Sequence, residues 1–374
     1  CMPGWEAYDE CQREGCDYNT KVEIPANGKH SYVCDVCTTC EGLNPVKYTR
    51  DGDYIYFGYW PQTLERDETV VAKLNEIAGK PPLPRDKENP YNWESHEGTT
   101  YMWQKIVIYN GTKYLGVQMN DYRASGVYSL TSYIMKNGYF TFEVYWFKYE
   151  PIKWRILTTS GNSAYIMSDI ALDSFSIQPN RKGEIRDGLY ADYNNSTGVP
   201  DGIYANNWEY CFLRQWLNET FYNEVFNKLQ KEIIQTTHLD NTARSSNPND
   251  YPKYYGYGEK AGKNKFADQC KNTDDKIFLL SLRDITTTAY GFNKDVLAKD
   301  PARNLQATDF AKLHGAPMNT NDKKYVTWYT RSPAPANGNQ GYATFVLDRH
   351  AKGAIDSIDL TPDGGVVPAL WITL

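Results

Sequence analysis

The sequence contains no long hydrophobic run and no excess of positive charge. Its longest apolar stretches, Ile277–Leu280 and Val366–Leu374, have the length of β-strands, whereas a membrane-spanning helix needs about 18 or more apolar residues. The chain carries 40 Lys and Arg against 46 Asp and Glu, a net charge of -6. Because nucleic-acid-binding proteins need clustered cations to neutralise phosphates, this composition excludes a basic nucleic-acid binder.

Histidine is scarce, and common catalytic motifs are missing. The five histidines are scattered and form no metal-type pair: His30, His96, His238, His314 and His350. No Gly-x-Ser-x-Gly elbow is present, which argues against a serine hydrolase. Gly256–Lys263 approaches a phosphate-binding loop, but its glycine spacing is one residue off, and Asn264 stands where Ser or Thr would bind magnesium. The sequence therefore predicts a protein that is not an enzyme.

Aromatic residues, in contrast, are abundant: the chain has 31 Tyr and 10 Trp, and 41% of its residues are apolar. This apolar content excludes a disordered chain, and 374 residues suffice for a sizeable core over two or three domains. The aromatic side chains have two interpretations. They either fill the core of β-sheets, which is the commoner role, or form a platform that stacks against sugars.

Six of the eight cysteines lie within the first 40 residues. Their even number fits a disulfide framework. Pairing within the close run of Cys34, Cys37 and Cys40 would be strained, so the expected disulfide partners are Cys1, Cys11 and Cys16. We expect an exported protein, because cysteines clustered in this way are typical of proteins outside the cytosol.

A zinc site is the alternative interpretation of the same cysteines. The spacing allows a set of ligands that consists of Cys11, Cys16, Cys34 and Cys37, with His30 as a further candidate. Residues 1–46 are too few to hold a core unaided, so they need either disulfides or a metal. Cys1 itself fits the lipid-bearing first residue of a mature lipoprotein, or simply the start of a trimmed chain.

From Lys47 onward the pattern changes from β to α and back to β, which indicates an α+β fold rather than a parallel βαβ sheet. Asn110-Gly111 and Asn137-Gly138 each predict a tight β-hairpin. We predict a Cys-rich module over residues 1–46 and a main domain over residues 47–374, with an aromatic β-hairpin insertion at about residues 61–148.

The clearest helical zone is Glu209–Gln235, where apolar residues recur at helical spacing. Asn218 and Asn227 are expected to act as internal caps that divide this zone into short helices. A shorter helix is predicted at Thr308–His314, with Thr308 as its cap and Gly315 as its stop.

The second half of the chain resembles an uncharacterised domain family of bacterial exported proteins. The resemblance covers roughly residues 47–374, and residues 61–148 look like a family-variable insertion. The segments that carry it are Trp154-Arg155-Ile156-Leu157, Asn207–Asn218, Asp275–Ser281, Ala307–Gly315, Trp328–Pro333 and Gly364–Leu374.

The ending of this family resembles the C-type-lectin-like fold of the formylglycine-generating-enzyme type. Arg331-Ser332 and Gly365-Val366-Val367 occupy places comparable to the strands that form the ligand face there. The resemblance therefore implies a C-type-lectin-like main domain. The catalytic cysteine pair of that enzyme is absent, since Cys211 and Cys270 lie outside the C-terminal strands. In retroelement-diversified proteins of the same fold, the segment corresponding to residues 333–359 is variable.

We therefore expect a ligand-recognition protein outside the cell or on its surface, with a glycan or a surface protein as its partner. The predicted ligand-binding residues lie in the C-terminal loops: Trp328, Tyr329, Arg331, Asn337, Asn339, Gln340, Tyr342, Asp348, Arg349 and His350. A purely structural role is an open alternative for Trp328 and Arg331. Calcium is a second candidate metal, with oxygen ligands from Asp348, Asp356, Asp359 and Asp363. The alternative function is a structural component of a surface or extracellular assembly.

Overall fold

A computed structural model shows a mixed α/β chain built mostly from antiparallel sheets with a few short helices. This confirms the predicted α+β pattern. The structure describes residues 5–10, 13–14, 19–24, 30–79, 95–96, 99–119, 134–140, 143–175, 207–242, 271–295, 298–319, 324–334, 342–347, 354–359 and 364–374. Within these ranges, no helix has the length and apolar character needed to cross a membrane.

The strands, in chain order, are β1 (Trp5–Glu10), β2 (Asn19–Ile24), β3 (Tyr32–Val33), β4 (Val36–Cys37), β5 (Thr49–Asp51), β6 (Tyr54–Leu64), β7 (Ser95–His96), β8 (Thr99–Tyr109), β9 (Thr112–Met119), β10 (Val144–Ser160), β11 (Ser163–Ser168), β12 (Asp173–Phe175), β13 (Thr237–Leu239), β14 (Thr273–Asp275), β15 (Phe278–Leu279), β16 (Trp328–Ala334), β17 (Tyr342–Leu347), β18 (Ala354–Asp359), β19 (Gly364–Val366) and β20 (Pro368–Thr373). The α-helices are α1 (Glu68–Ala78), α2 (Phe212–Trp216), α3 (Tyr222–Val225), α4 (Lys228–Lys231) and α5 (Asp309–Leu313).

A nine-stranded sheet forms the frame of the molecule, and β10 is its organising strand. The first part of β10 pairs with β9, its middle part with β6 and its last part with β11, all antiparallel. The last strand, β20, pairs with β11, so the C-terminus of the chain returns to the centre of this sheet. The strand β6 crosses residue 61, where the predicted insertion begins, and it continues the same sheet on both sides of that point.

A second sheet of five strands has the order β12-β19-β16-β17-β18. Its pairings are antiparallel except that of β16 with β19, which are parallel and meet at Trp328 and Gly365. Gly365 cannot be enlarged without crowding, because a β-carbon there would lie 3.0 Å from Val326 and 3.1 Å from Ala171. The pairing of β16 with β19 brings Trp328–Pro333 next to the start of Gly364–Leu374, and these are the two C-terminal segments that carry the resemblance.

The main core lies against the nine-stranded sheet and is rich in aromatic side chains. Trp154 is fully buried, and its indole N–H donates a hydrogen bond to the Phe57 carbonyl at 3.0 Å. Phe226 packs on the same two rings, at 5.1 Å from Phe57 and 6.3 Å from Trp154 between ring centroids. The core interpretation of the aromatic residues therefore holds for these side chains.

The helix α1 covers a smaller core on the opposite side of the β8–β9 hairpin. Its N-terminus is capped by Asp67, whose carboxylate accepts from the Thr69 and Val70 N–H groups, and it ends at Gly79. Leu74 of α1 packs in a buried cluster with Val107, Tyr114 and Trp146. The indole of Trp146 donates to the Asn75 side chain at 2.8 Å, which fixes the helix on the sheet.

Candidate ligand-binding cleft

A cleft of about 1000 Å³ is lined on one side by the β8–β9 hairpin and on the other by the helical segment at residues 212–225. Small-molecule sites usually have volumes of about 300–1000 Å³ and are formed by apolar surface with a few polar groups. Five aromatic side chains contribute to its lining: Trp60, Tyr149, Phe175, Trp216 and Phe310. The cleft therefore has the size and composition of a ligand site.

Four of these aromatic side chains form a continuous wall. The Phe175 and Trp216 ring centroids are 4.6 Å apart, and Trp60 meets both Trp216 and Phe310 edge-on at 5.9 Å. The Trp60 indole also donates to the Leu172 carbonyl at 3.1 Å. Because each ring is held by its neighbours, the wall needs no reorganisation before a ligand binds.

The helical side of the cleft presents polar groups next to this wall. Glu219, Thr220, Asn223 and Glu224 line the cleft together with Trp216, at the three- and four-residue spacing of one helix face. Leu217–Phe221 forms a π-helical turn within this segment. Such turns are rare and often occur at functional sites. The segment thus offers carboxylate, amide and hydroxyl groups beside an aromatic surface.

The sheet side of the cleft carries cations and one exposed apolar residue. Lys113 places its ammonium 4.1 Å from the centre of the Tyr149 ring. Burial raises the pKa of the Tyr149 phenol well above its ordinary value, and the nearby Glu224 and Cys34 raise it further. Tyr149 is therefore a neutral hydrogen-bonding group at any physiological pH.

Ile106 and Ile108 lie two residues apart on β8, so their side chains share one face of the strand. They are 52% and 57% exposed. Ile106 lines the cleft, whereas Ile108 is not among its lining residues. The chain thus contains a matched pair of exposed isoleucines that differ in their contact with the cleft.

Asp173 and His314 form a buried hydrogen-bonded pair beside the cleft. Asp173, which lines the cleft, is 1% exposed, and its Oδ1 lies 2.5 Å from Nδ1 of His314. The same oxygen accepts from the Ser174 N–H at 2.8 Å, and the Phe310 ring lies 4.2 Å from the imidazole. This pair ties β12 to the end of α5 and so fixes two aromatic residues of the wall.

The predicted ligand residues in the C-terminal half have different positions. Trp328 and Tyr329 are 0% and 2% exposed, and the Trp328 indole donates to the Arg303 carbonyl at 3.0 Å. Arg331 donates from Nη1 to the Leu279 carbonyl at 2.9 Å and to Asp284 at 3.0 Å. These contacts match the structural alternative for Trp328 and Arg331.

The side chains of the other predicted ligand residues are not among those that the structure describes. Tyr342 begins β17, where only the backbone is described. The remaining predicted ligand residues lie outside the described residues: Asn337, Asn339, Gln340, Asp348, Arg349 and His350. Of the calcium candidates, Asp356 and Asp359 lie on β18 without described side chains, and Asp348 and Asp363 lie outside the described residues. The binding role of the C-terminal loops therefore stays a prediction.

Among the described residues, three side chains near the N-terminus have the ligand types of a metal site. His30, Cys37 and Cys40 have ligand atoms that all lie within 4.8 Å of one another. Cys34 is not a member of this group, and burial raises the pKa of its thiol to about 11. Cys34 and Cys40 form no disulfide with another of the described cysteines. The other cysteines proposed as ligands or disulfide partners lie outside the described residues: Cys1, Cys11 and Cys16.

Sequence reasoning missed the cleft because its walls come from distant parts of the chain. The one local signal was the polar face that follows Trp216 in the predicted helical zone. Trp60 and the β8–β9 hairpin carry no motif that marks them as opposite this face.

A family model described as a domain of unknown function, DUF6273, matches residues 164–374. No curated protein and no solved structure matches the chain. The matched stretch contains the helical side of the cleft, together with Asp173, Phe175 and Phe310. Trp60 and the β8–β9 hairpin lie in the part of the chain that precedes it.

Proposed function

The chain belongs to the DUF6273 family of domains of unknown function, and we propose that it is a non-enzymatic recognition protein that binds a glycan in the cleft. The observation that carries this proposal is the continuous aromatic wall beside a polar helix face. A sugar ring has apolar C–H faces and a rim of hydroxyl groups. It therefore complements a site in which the edges of aromatic rings lie next to carboxylate, amide and hydroxyl groups.

The rigidity of the site supports recognition. Trp60 is held by its hydrogen bond to the Leu172 carbonyl, and Phe175 and Phe310 belong to elements joined by the Asp173–His314 pair. A site whose side chains are already ordered loses little conformational entropy when the ligand binds.

We further propose that residues 164–374 adopt a C-type-lectin-like arrangement and that the protein acts outside the cell or on its surface. The pairing of β16 with β19 supports the fold, because it sets the Trp328–Pro333 and Gly364–Leu374 segments side by side. The pairing of β11 with β20 supports it as well, since it joins the two ends of the matched stretch. The extracellular location rests on the resemblance to exported proteins.

Ile106→Arg is expected to weaken glycan binding by about 10-fold or more, equivalent to about 1.4 kcal/mol. The larger, charged side chain would project into the cleft. The full chain would first be screened on an array of mucin and bacterial-surface oligosaccharides. Affinity for the strongest ligand would then be measured by titration calorimetry.

Ile108→Arg provides the matched control, because it adds the same charge on the same strand face outside the cleft. We expect it to bind as the unchanged chain does. A third variant carries alanine at Asn337, Asn339, Asp348 and Arg349. If this variant loses binding while Ile106→Arg retains it, the C-terminal loops and not the cleft form the site. A folded chain that binds no glycan but assembles with increasing concentration would instead favour the structural role.

A further inference from the structure

The segment from His30 to Gly42 forms a tight pair of turns around three metal-ligand side chains. The thiol sulfur of Cys40 lies 3.7 Å from Nδ1 of His30, and the Cys37 sulfur completes a group within 4.8 Å. Thiolate sulfur and imidazole nitrogen are the ligands that zinc prefers, and a Cys-x-x-Cys pair is a common way to supply two of them.

The backbone fixes this arrangement before any metal binds. The strands β3 and β4 form a hairpin in which Tyr32 pairs with Cys37. Its two turn residues, Cys34 and Asp35, both have positive φ angles of 48° and 61°, as a tight hairpin turn requires. The turn that follows closes through hydrogen bonds from the Cys37 N–H to the Gly42 carbonyl and from the Glu41 N–H to the Cys37 carbonyl.

The position of Cys37 is set by the fold of the loop. The residue is only 1% exposed, and its backbone pairs with Tyr32 in the hairpin and closes the turn that follows.

Residues 30–46 have little else to hold them together. Val33 and Cys37 are the only buried residues among them. Its contacts with the main domain include a hydrogen bond in which the Asp35 carboxylate accepts from the Gln230 amide at 2.9 Å. Short segments without an apolar core depend on cross-links or metals for their structure.

We propose that His30, Cys37 and Cys40 bind a zinc ion and supply three ligands of a structural site. Zinc closes the two turns on each other and holds the loop against α4, to which Asp35 connects it. This set shares Cys37 and the further candidate His30 with the one expected from the sequence, and it adds Cys40 and leaves out Cys34.

The test uses cobalt(II) as a spectroscopic substitute for zinc in the full-length, reduced and chelator-treated chain. One equivalent of cobalt is expected to produce a thiolate charge-transfer band and the visible bands of a tetrahedral site, and zinc is expected to abolish both. Cys40→Ser should weaken cobalt binding by about 100-fold or more, beyond the 10–100-fold that loss of an outer-shell partner causes.

Cys211→Ser is the matched control. Cys211 is a buried free thiol that caps α2, where its sulfur accepts from the Arg214 N–H, and a hydroxyl can replace it in that role. This variant should give the same cobalt spectrum as the unchanged chain. The proposal is overturned if the reduced unchanged chain develops no thiolate band, or if Cys40→Ser binds cobalt as tightly as Cys211→Ser. Non-reducing peptide mapping of the freshly purified protein that locates a Cys37–Cys40 disulfide would also overturn it.

Discussion

Replacing Arg303 with alanine is expected to lower the free energy of unfolding by about 3–5 kcal/mol. The side chain is fully buried and its Nε lies 3.3 Å from the Asp300 carboxylate. It also donates to three main-chain carbonyls, those of Ile285, Asn293 and Asp295. Truncation would leave a buried carboxylate without its cation and three carbonyls without these donors, and each loss is unfavourable in the interior.

The structural consequence extends to the C-terminal sheet. The Arg303 carbonyl accepts the hydrogen bond of the Trp328 indole, and Trp328 is the residue at which β16 meets β19. Urea unfolding followed by tryptophan fluorescence would measure the change. Arg50→Ala is the control, because Arg50 is exposed and its guanidinium donates to the carbonyl of its neighbour Gly52. We expect the control to change stability by about 0.5 kcal/mol or less. Equal effects from the two substitutions would contradict the role assigned to Arg303.

Gly58→Ala is expected to destabilise the protein by about 2–5 kcal/mol, from a backbone and a packing contribution. Gly58 lies in a β-bulge of β6, where Phe57 and Gly58 face Ile152 of β10, and its φ angle is 68°. A β-carbon at this position would lie 2.6 Å from the Phe226 ring and 2.7 Å from Val225. The bulge therefore lets the end of α3 approach the sheet only because residue 58 has no side chain.

Gly52→Ala separates the two contributions. Gly52 has a similar φ angle of 56°, but a β-carbon there would meet no atom within 4 Å. Its substitution is expected to lower stability by about 1–2 kcal/mol through the backbone alone. Thermal or urea unfolding of both variants would show whether Gly58→Ala has the larger effect. If the two variants were equally stable, the close packing of Phe226 on the bulge would be wrong.

The two Asn-Gly pairs show that the same local sequence signal predicts the structure at one position and fails at the other. At Asn110-Gly111 both φ angles are positive, 48° and 75°, and the predicted hairpin of β8 and β9 is confirmed. At Asn137-Gly138 only the glycine has a positive φ, and residues 134–136 form a helical turn, so the second predicted hairpin is wrong. The Asn137 amide donates instead to the carbonyls of Lys312 and Ala316, both at 2.9 Å. A contact with a distant part of the chain decides the conformation there, and the local sequence does not predict that contact.

The predicted helical zone Glu209–Gln235 shows the same difference between local and long-range contacts. Asn227 caps α4 as predicted, in a reciprocal arrangement with Gln230. Asn218 was expected to cap a helix, and that prediction is wrong, because it lies inside the π-helical turn. Its side chain accepts from the Lys276 and Ile277 N–H groups and so attaches the helix to the strand that follows. Short-range capping could be predicted, whereas long-range hydrogen bonding could not.

The candidate site was less predictable than the fold. Aromatic residues such as Trp60 and Trp216 fit the core interpretation, and their rings are in fact almost fully buried. The sequence could not predict that the edges of these rings lie next to a polar helix face in an open cleft. The guanidinium of Arg331 binds the Leu279 carbonyl and the Asp284 carboxylate, as in the structural alternative that the sequence analysis left open.

The central claim is that the cleft between the β8–β9 hairpin and the helical segment binds the ligand. Hydroxyl-radical footprinting of the full chain, with and without the strongest glycan from the array, tests it most directly. We predict that oxidation of Ile106 falls several-fold when the glycan binds, while oxidation of Ile108 stays unchanged. Protection confined to residues 333–359, with Ile106 oxidised at the same rate in both states, would contradict the claim.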